Sequence, residues 1–251
     1  MGINHYLVAA SENSNPVVKD IFSSPKFSNL NTASKEFYLS ENEKYVVALV
    51  NLVRCDPKAF INEVILKSGI DSNKMEISHL IRELKIRKNI FPLLPAFSLY
   101  KSAMVHAKDM GQSGLFGHTG SDGQLFKDRI QQYFPTNTEL AENFYIGSGD
   151  PVDVVMSFLL EKGEKGRQYK INILSENIHF IGISIQPHRL KCTNAVLDFA
   201  KKPSIPEAAI QLKKKSDMEV YWKDCPSGPK VAPRKKSSGF SLGSLWGGKR
   251  K

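Results

Sequence analysis

Between His179 and Ala200 the hydrophobic pattern changes period, and that change limits what this chain can fold into. In "HFIGISIQ", Ile181, Ile183 and Ile185 fall on one side; "NAVLDFA" alternates again beyond the stretch "PHRLKC". Period-two alternation marks half-buried strands, and two such runs this close predict an antiparallel hairpin. Upstream the spacing is helical. Ser40 and Glu43 have capping-box spacing, and Val46, Leu49, Val50 and Val53 recur on one face behind them. Asp56-Pro57 suits the N-cap and first position of a second helix, with Ala59, Phe60, Val64 and Ile65 inward and Gly69 as its stop. Asn73 is placed to cap a third, with the stripe Ile77, Leu80, Ile81 and Leu84. "NIFPLLPAF" is a proline-broken connection. Leu99, Ala103, His106 and Met110 mark a fourth helix that stops near Gly111 or Gly114, and Asp150-Pro151 opens a fifth running to about Lys162. "ELAENFYIG" reads as strand or turn. Helices first and an antiparallel pair late give an α+β domain with helices packed on a small sheet.

Charge divides the chain in two. From Lys201 to Lys251 there are 13 Lys or Arg against 4 Asp or Glu; the other 200 residues hold 22 against 21. The body, at +1, is nearly neutral, and the tail carries +9 of the net +10. Three segments are expected: an irregular N-terminal extension over 1–39, a domain over 40–202, and a basic tail over 203–251 that is solvated and disordered. The chain's 41% hydrophobic content supports a core. No apolar run reaches the roughly 18 residues that span a bilayer. The start, "MGINHYLVAASENSNP", lacks the basic region and apolar block of a secretory leader, and Tyr6 misfits a myristoylation signal at Gly2. Cys55, Cys192 and Cys225 form neither a disulfide framework nor a zinc-ligand pattern. The expectation is an intracellular, cytoplasmic protein, with membrane association through the tail.

Several short stretches line up in order: "VNLVR" (50–54), "HAKDM" (106–110), "GHTGSDG" (117–123) with "DRI" (128–130), "AEN" (141–143), "NIL" (172–174), "IGI" (181–183) and "VLDFA" (196–200). Together they resemble the CAP superfamily of cysteine-rich secretory, antigen 5 and pathogenesis-related proteins (the SCP domain), closest to its Cys-poor bacterial-type branch. The resemblance covers about residues 42 to 200. It implies a three-layer α-β-α sandwich with an antiparallel central sheet and a cleft that in many members gathers two His and two Glu. The first His falls on His118 and the first Glu on Glu142. The second Glu, three residues after an aromatic, falls on Glu161 after Phe158. Counting back from Asn172, the second His position holds Tyr169. A neutral phenol is a poor metal ligand, so His118, Glu142 and Glu161 are weak candidates for a divalent metal, and no cofactor is expected.

Other residues have plainer readings. His106 lies on an apolar helical face and is expected to be a core histidine held by one hydrogen bond. Asp122, Asp128 and Arg129 are expected to shape the loop after His118, Asp128 as the cap of a short helix over "KDRIQQYF". His179 and His188 have no partner that the sequence names. In the tail, Lys213, Lys214, Lys215, Arg234, Lys235, Lys236, Lys249, Arg250 and Lys251, with Trp246 among apolar neighbours, suit an anionic membrane surface. The same charge would attract nucleic acid, which the aromatic neighbours make the weaker expectation. The functional expectation is a non-enzymatic binding protein whose cleft of His118, Glu142, Glu161 and Tyr169 takes a small or lipidic ligand. The alternatives are a divergent, metal-assisted hydrolase using His118 and Glu142, and a nucleic-acid-associated protein acting through its tail.

Overall fold

The computed structural model describes residues 15–135, 138–160 and 166–201. The tail positions from Lys213 to Lys251, and Glu161, lie outside the described residues. Among these residues, helices flank one sheet on both faces, as the α+β reading requires. Helix α1 is Pro16–Ser23, α2 Glu41–Cys55, α3 Pro57–Phe60, α4 Met75–Ile86, α5 Phe97–Ser113, α6 Phe126–Tyr133, α7 Pro151–Leu159 and α8 Gly166–Ile173. The strands are β1 Leu94–Pro95, β2 Leu140–Gly147, β3 Ile178–His188 and β4 Lys191–Lys201, in the order β1-β3-β4-β2.

The late alternation forms the expected hairpin. β3 and β4 pair antiparallel, Ile183 opposite Leu197, and the connection shrinks to Arg189 and Leu190. β2, the segment read as strand or turn, pairs antiparallel along β4 at the far edge. The very short β1, inside the proline-broken connection, pairs parallel with β3.

Alternation splits the core. Ile181, Ile183, Leu197 and Phe199 join Val46, Leu49 and Val53 of α2 and Val155 and Phe158 of α7. On the opposite face, Ala103, Ala107 and Met110 of α5 pack on Val196. Leu99 and Ile130 pack with Phe180 and Ala200 beside them. α5 can lie this close because residue 182 is glycine: a Cβ there would stand 2.1 Å from the Leu99 carbonyl carbon. The close approach explains the glycine in the "IGI" stretch.

Three local expectations change. Part of the N-terminal stretch read as irregular is the helix α1, capped by Asn15 and led by Pro16. Its Val18, Ile21 and Phe22 enter the same core as α2, because apolar residues three apart share one helical face. Asn73 does not cap α4. Lys74 holds the N-cap position with no side-chain bond, while the Asn73 N–H donates to the Asp71 carboxylate in a preceding turn. Asp128 does not cap α6 either. It sits in the first turn, one place inside Phe126 and Lys127, and Leu125 is at the cap.

The capping box of α2 is present as read, with the Ser40 N–H donating to Glu43 and the Glu43 N–H to Ser40. Polar residues of the "VNLVR" stretch serve the fold. The Asn51 amide donates to the carbonyls of Leu30 and Leu93 and accepts the Leu93 N–H at 2.7 Å. Arg54, 1% exposed, donates to the carbonyls of Phe91, Ile173, Ser175 and Ile178, so one side chain ties α2 to the end of α8 and the start of β3. Burial lowers its pKa to about 10, which leaves it charged at neutral pH.

Candidate functional site

The loop between α5 and α6 is built to present His118. α5 ends at Gly114 in the left-handed conformation, and Gly117 and Gly123 also have positive φ. From inside, the buried His106 donates from Nε2 to the Gly117 carbonyl at 2.8 Å. This is the single bond expected for a core histidine. Burial, with Arg129 second, lowers its pKa to about 4, so it is neutral at physiological pH. From outside, the Asp109 carboxylate accepts the Ser121 N–H at 2.7 Å and its hydroxyl at 2.5 Å. Asp122 accepts the Gln124 N–H at 2.9 Å, the loop-shaping role expected of it.

Two further motifs bring up the other wall. The Asn143 amide, beside Glu142 in "AEN", donates to the Tyr169 carbonyl at 3.1 Å. The Asn172 amide of "NIL" donates to the Asn143 side-chain oxygen at 2.8 Å. These bonds fasten α8 to β2. The Tyr169 ring then stands edge-on to His118, at 5.8 Å between centroids, and is backed by Phe158 at 5.7 Å.

His118 is held at both nitrogens. Nδ1 lies 2.8 Å from the Glu142 carboxylate and Nε2 lies 3.2 Å from the Tyr169 hydroxyl. Burial raises the Tyr169 pKa, with the Glu142 charge adding to it, so the phenol keeps its proton and donates it. Nδ1 then carries the hydrogen toward Glu142. Phe126 and Phe144 complete an aromatic surround at 5.7 and 5.1 Å from the imidazole, and 24% of the His118 side chain stays open to solvent. His118, Glu142 and Tyr169 are therefore together in space; Glu161 lies outside the described residues.

Behind Glu142 are two residues that sequence reasoning did not assign to the site. Arg129, read as a loop-shaping residue, is 2% exposed and forms an ion pair with the second Glu142 oxygen. Asp198 is fully buried on β4, directly opposite Glu142 in the strand register. Burial raises the pKa of both carboxyls, and their mutual repulsion raises Asp198 further while Arg129 opposes the rise. The available sequence signals were an acid inside the apolar run "VLDFA" and an arginine beside the core residue Ile130. His188, also unassigned, is structural: its Nε2 lies 3.0 Å from the Leu115 carbonyl at the loop's start.

Both His118 nitrogens are engaged by protein groups, Tyr169 keeps its proton, and the Glu142 oxygens face His118 and Arg129. No cluster of three His, Cys, Asp or Glu suited to a metal occurs among the described residues.

No protein-family model matches this chain, and no curated protein matches it significantly. Among solved structures it is similar to an extracellular protein containing a SCP domain from Bacillus anthracis, at 18% identity and a TM-score of 0.39, over 50% of this chain and 38% of that one. It is also similar to an outer surface protein from Borrelia burgdorferi, at 21% identity and a TM-score of 0.39, over 51% of this chain and 87% of that one. One expectation is corrected here. Both neighbours are described by a location outside the cytoplasm, against the intracellular placement drawn from the sequence. Sparse cysteines were a weak guide, because a domain with an ample apolar core needs no disulfides in any compartment. No helix among the described residues is long and apolar enough to cross a membrane.

Proposed function

We propose that this is a non-enzymatic binding protein whose cleft at His118, Glu142 and Tyr169 takes a small or lipidic ligand, and that its basic tail adds contact with anionic membrane. One observation carries the reading: the imidazole is partly open within an aromatic surround, yet both its nitrogens are spoken for. A general base acts on the group its nitrogen faces, and Nε2 here faces the Tyr169 phenol, whose raised pKa keeps its proton in place; a metal ligand needs a lone pair. This ring offers instead an apolar face, bounded by Phe126 and Phe144, with the Tyr169 oxygen available as an acceptor. Such a surface suits an apolar ligand with one hydrogen-bond donor. Glu161, expected to complete the cleft, keeps that role as part of the proposal.

Native mass spectrometry of the full chain with lipid extraction tests the cleft. The expected result is a co-purifying or added apolar ligand that is retained by the wild type and lost in Phe144→Ala and His118→Ala variants that still fold. Retention by both variants would remove the cleft from the reading. Liposome binding tests the tail. Binding should weaken with salt and drop when residues 203–251 are deleted, and equal binding by the truncated protein would exclude the tail.

A further inference from the structure

A second recess lies on the helices before α5. After α3 the chain makes one π-helical turn, Ile61–Ile65, closed by the Leu66 N–H on the Ile61 carbonyl. Such a turn is rarer than α-helix and recurs at functional sites. Between it and α4 lies an open cavity of about 490 Å³ lined by Ile61, Leu66, Met75, Ile81, Arg82 and Lys85, with three small polar residues between them. Its volume falls in the range of small-molecule sites.

Two features set its chemistry. Apolar side chains are left in water: Leu66 is 54% exposed and Met75 81%. Ile86, 86% exposed, continues the stripe. At 100° per residue Met75, Arg82 and Ile86 fall within about 20° of one line along α4. The charge is also one-sided. Arg82 and Lys85 make no ion pair among the described residues, although Glu83 between them pairs with Arg87 and Lys170. No Asp or Glu lines the cavity. Two unpaired cations beside an apolar floor attract an anion that carries an apolar body.

We infer that the groove between the Ile61–Ile65 turn and α4 binds a small anionic amphiphile, its apolar part against Ile61, Leu66 and Ile81 and its carboxylate or phosphate at Arg82 and Lys85. The inference does not depend on the His118 cleft, which shares none of these residues. Decanoate, titrated into the ¹⁵N-labelled full chain below its micelle threshold, is the test probe, with decanol and acetate as separate arms. Saturable amide shifts at Leu66, Met75, Arg82 and Lys85 are expected, with decanol weaker by about ten-fold and acetate without effect. The exposed pair Arg82→Gln/Lys85→Gln should weaken decanoate by about ten-fold while leaving the decanol response and the rest of the spectrum unchanged. Leu66→Glu should weaken both probes. Equal response to decanoate and decanol, no saturable shift, or shifts confined to the tail would overturn the proposal. Shifts centred on His118, Phe126 and Phe144 would also overturn it while supporting the cleft reading, so the two can fail separately.

Discussion

Arg54 and Arg129 are both buried arginines, and they do opposite things. Arg54 meets only backbone carbonyls, from Phe91, Ile173, Ser175 and Ile178. Arg129 meets Glu142, with Asp198 directly across the sheet from that glutamate. The first is a strut: its partners are neutral and titrate at no ordinary pH. The second is one cation against two carboxyl groups, so its balance depends on how many protons the acids keep. A buried charge stabilised by dipoles holds structure, whereas a buried excess of acid makes a region sensitive to pH.

The largest expected effect breaks the strut. Arg54→Met leaves four carbonyls without their donor and should cost about 4 kcal/mol or more at any pH between 5 and 8. Urea unfolding measures it; a loss that varies strongly with pH would erase the contrast with Arg129.

Arg129→Met comes next. It strands Glu142 and Asp198 together, and removing one partner of a buried pair typically costs about 3–5 kcal/mol. The loss should be greatest near pH 8 and shrink toward pH 5, where protonation relieves both acids. A flat profile would show that the carboxyls do not respond to Arg129.

The third prediction follows from the raised carboxyl pKa values. Glu142 is pushed up to about 7 by burial, and Asp198 well above its ordinary value. Folded carboxyls that hold protons more tightly than unfolded ones stabilise at acid pH, and that stability is lost as pH rises through the folded value. Wild-type stability should therefore fall between about pH 4 and pH 7 on account of this pair. His106 works the other way: its folded pKa of about 4 lies below the usual imidazole value, so its contribution is lost as pH falls through that range. Asp198→Asn removes one acid and should flatten the fall on the alkaline side, read as thermal midpoints across pH. An unchanged slope would mean that Asp198 binds no extra proton in the fold.

The smallest effect is at the open edge of the site. Tyr169→Phe removes one partly exposed hydrogen bond and should cost about 1 kcal/mol. It should also free His118 Nε2, visible as a changed imidazole ¹⁵N shift. An unchanged shift would show that the phenol does not hold that nitrogen in solution.

Much of the frame is legible in the sequence. The Ser40–Glu43 box, the α2 stripe, the Asp150-Pro151 start and the β3–β4 alternation are local signals, because capping and period involve residues only a few places apart. β1 was not legible, since two residues in a proline-broken stretch carry no period. Of the cleft, His118, Glu142 and Tyr169 came from motif resemblance, not from spacing. Asp198 and Arg129 were missed because their importance arises from what they face.

Alone, the amino-acid order determined most of the helices and the β3–β4 hairpin, where charge would gather, and that His118 would sit in a turn rich in glycine and aspartate. Tertiary structure decided the rest. Strand register put Asp198 opposite Glu142, α6 swung Arg129 onto the same carboxylate, and the Asn143–Asn172 clasp laid Tyr169 against His118. Those pairings link residues from 13 to 56 positions apart. No local propensity encodes them; they follow from burying both faces of the sheet at once.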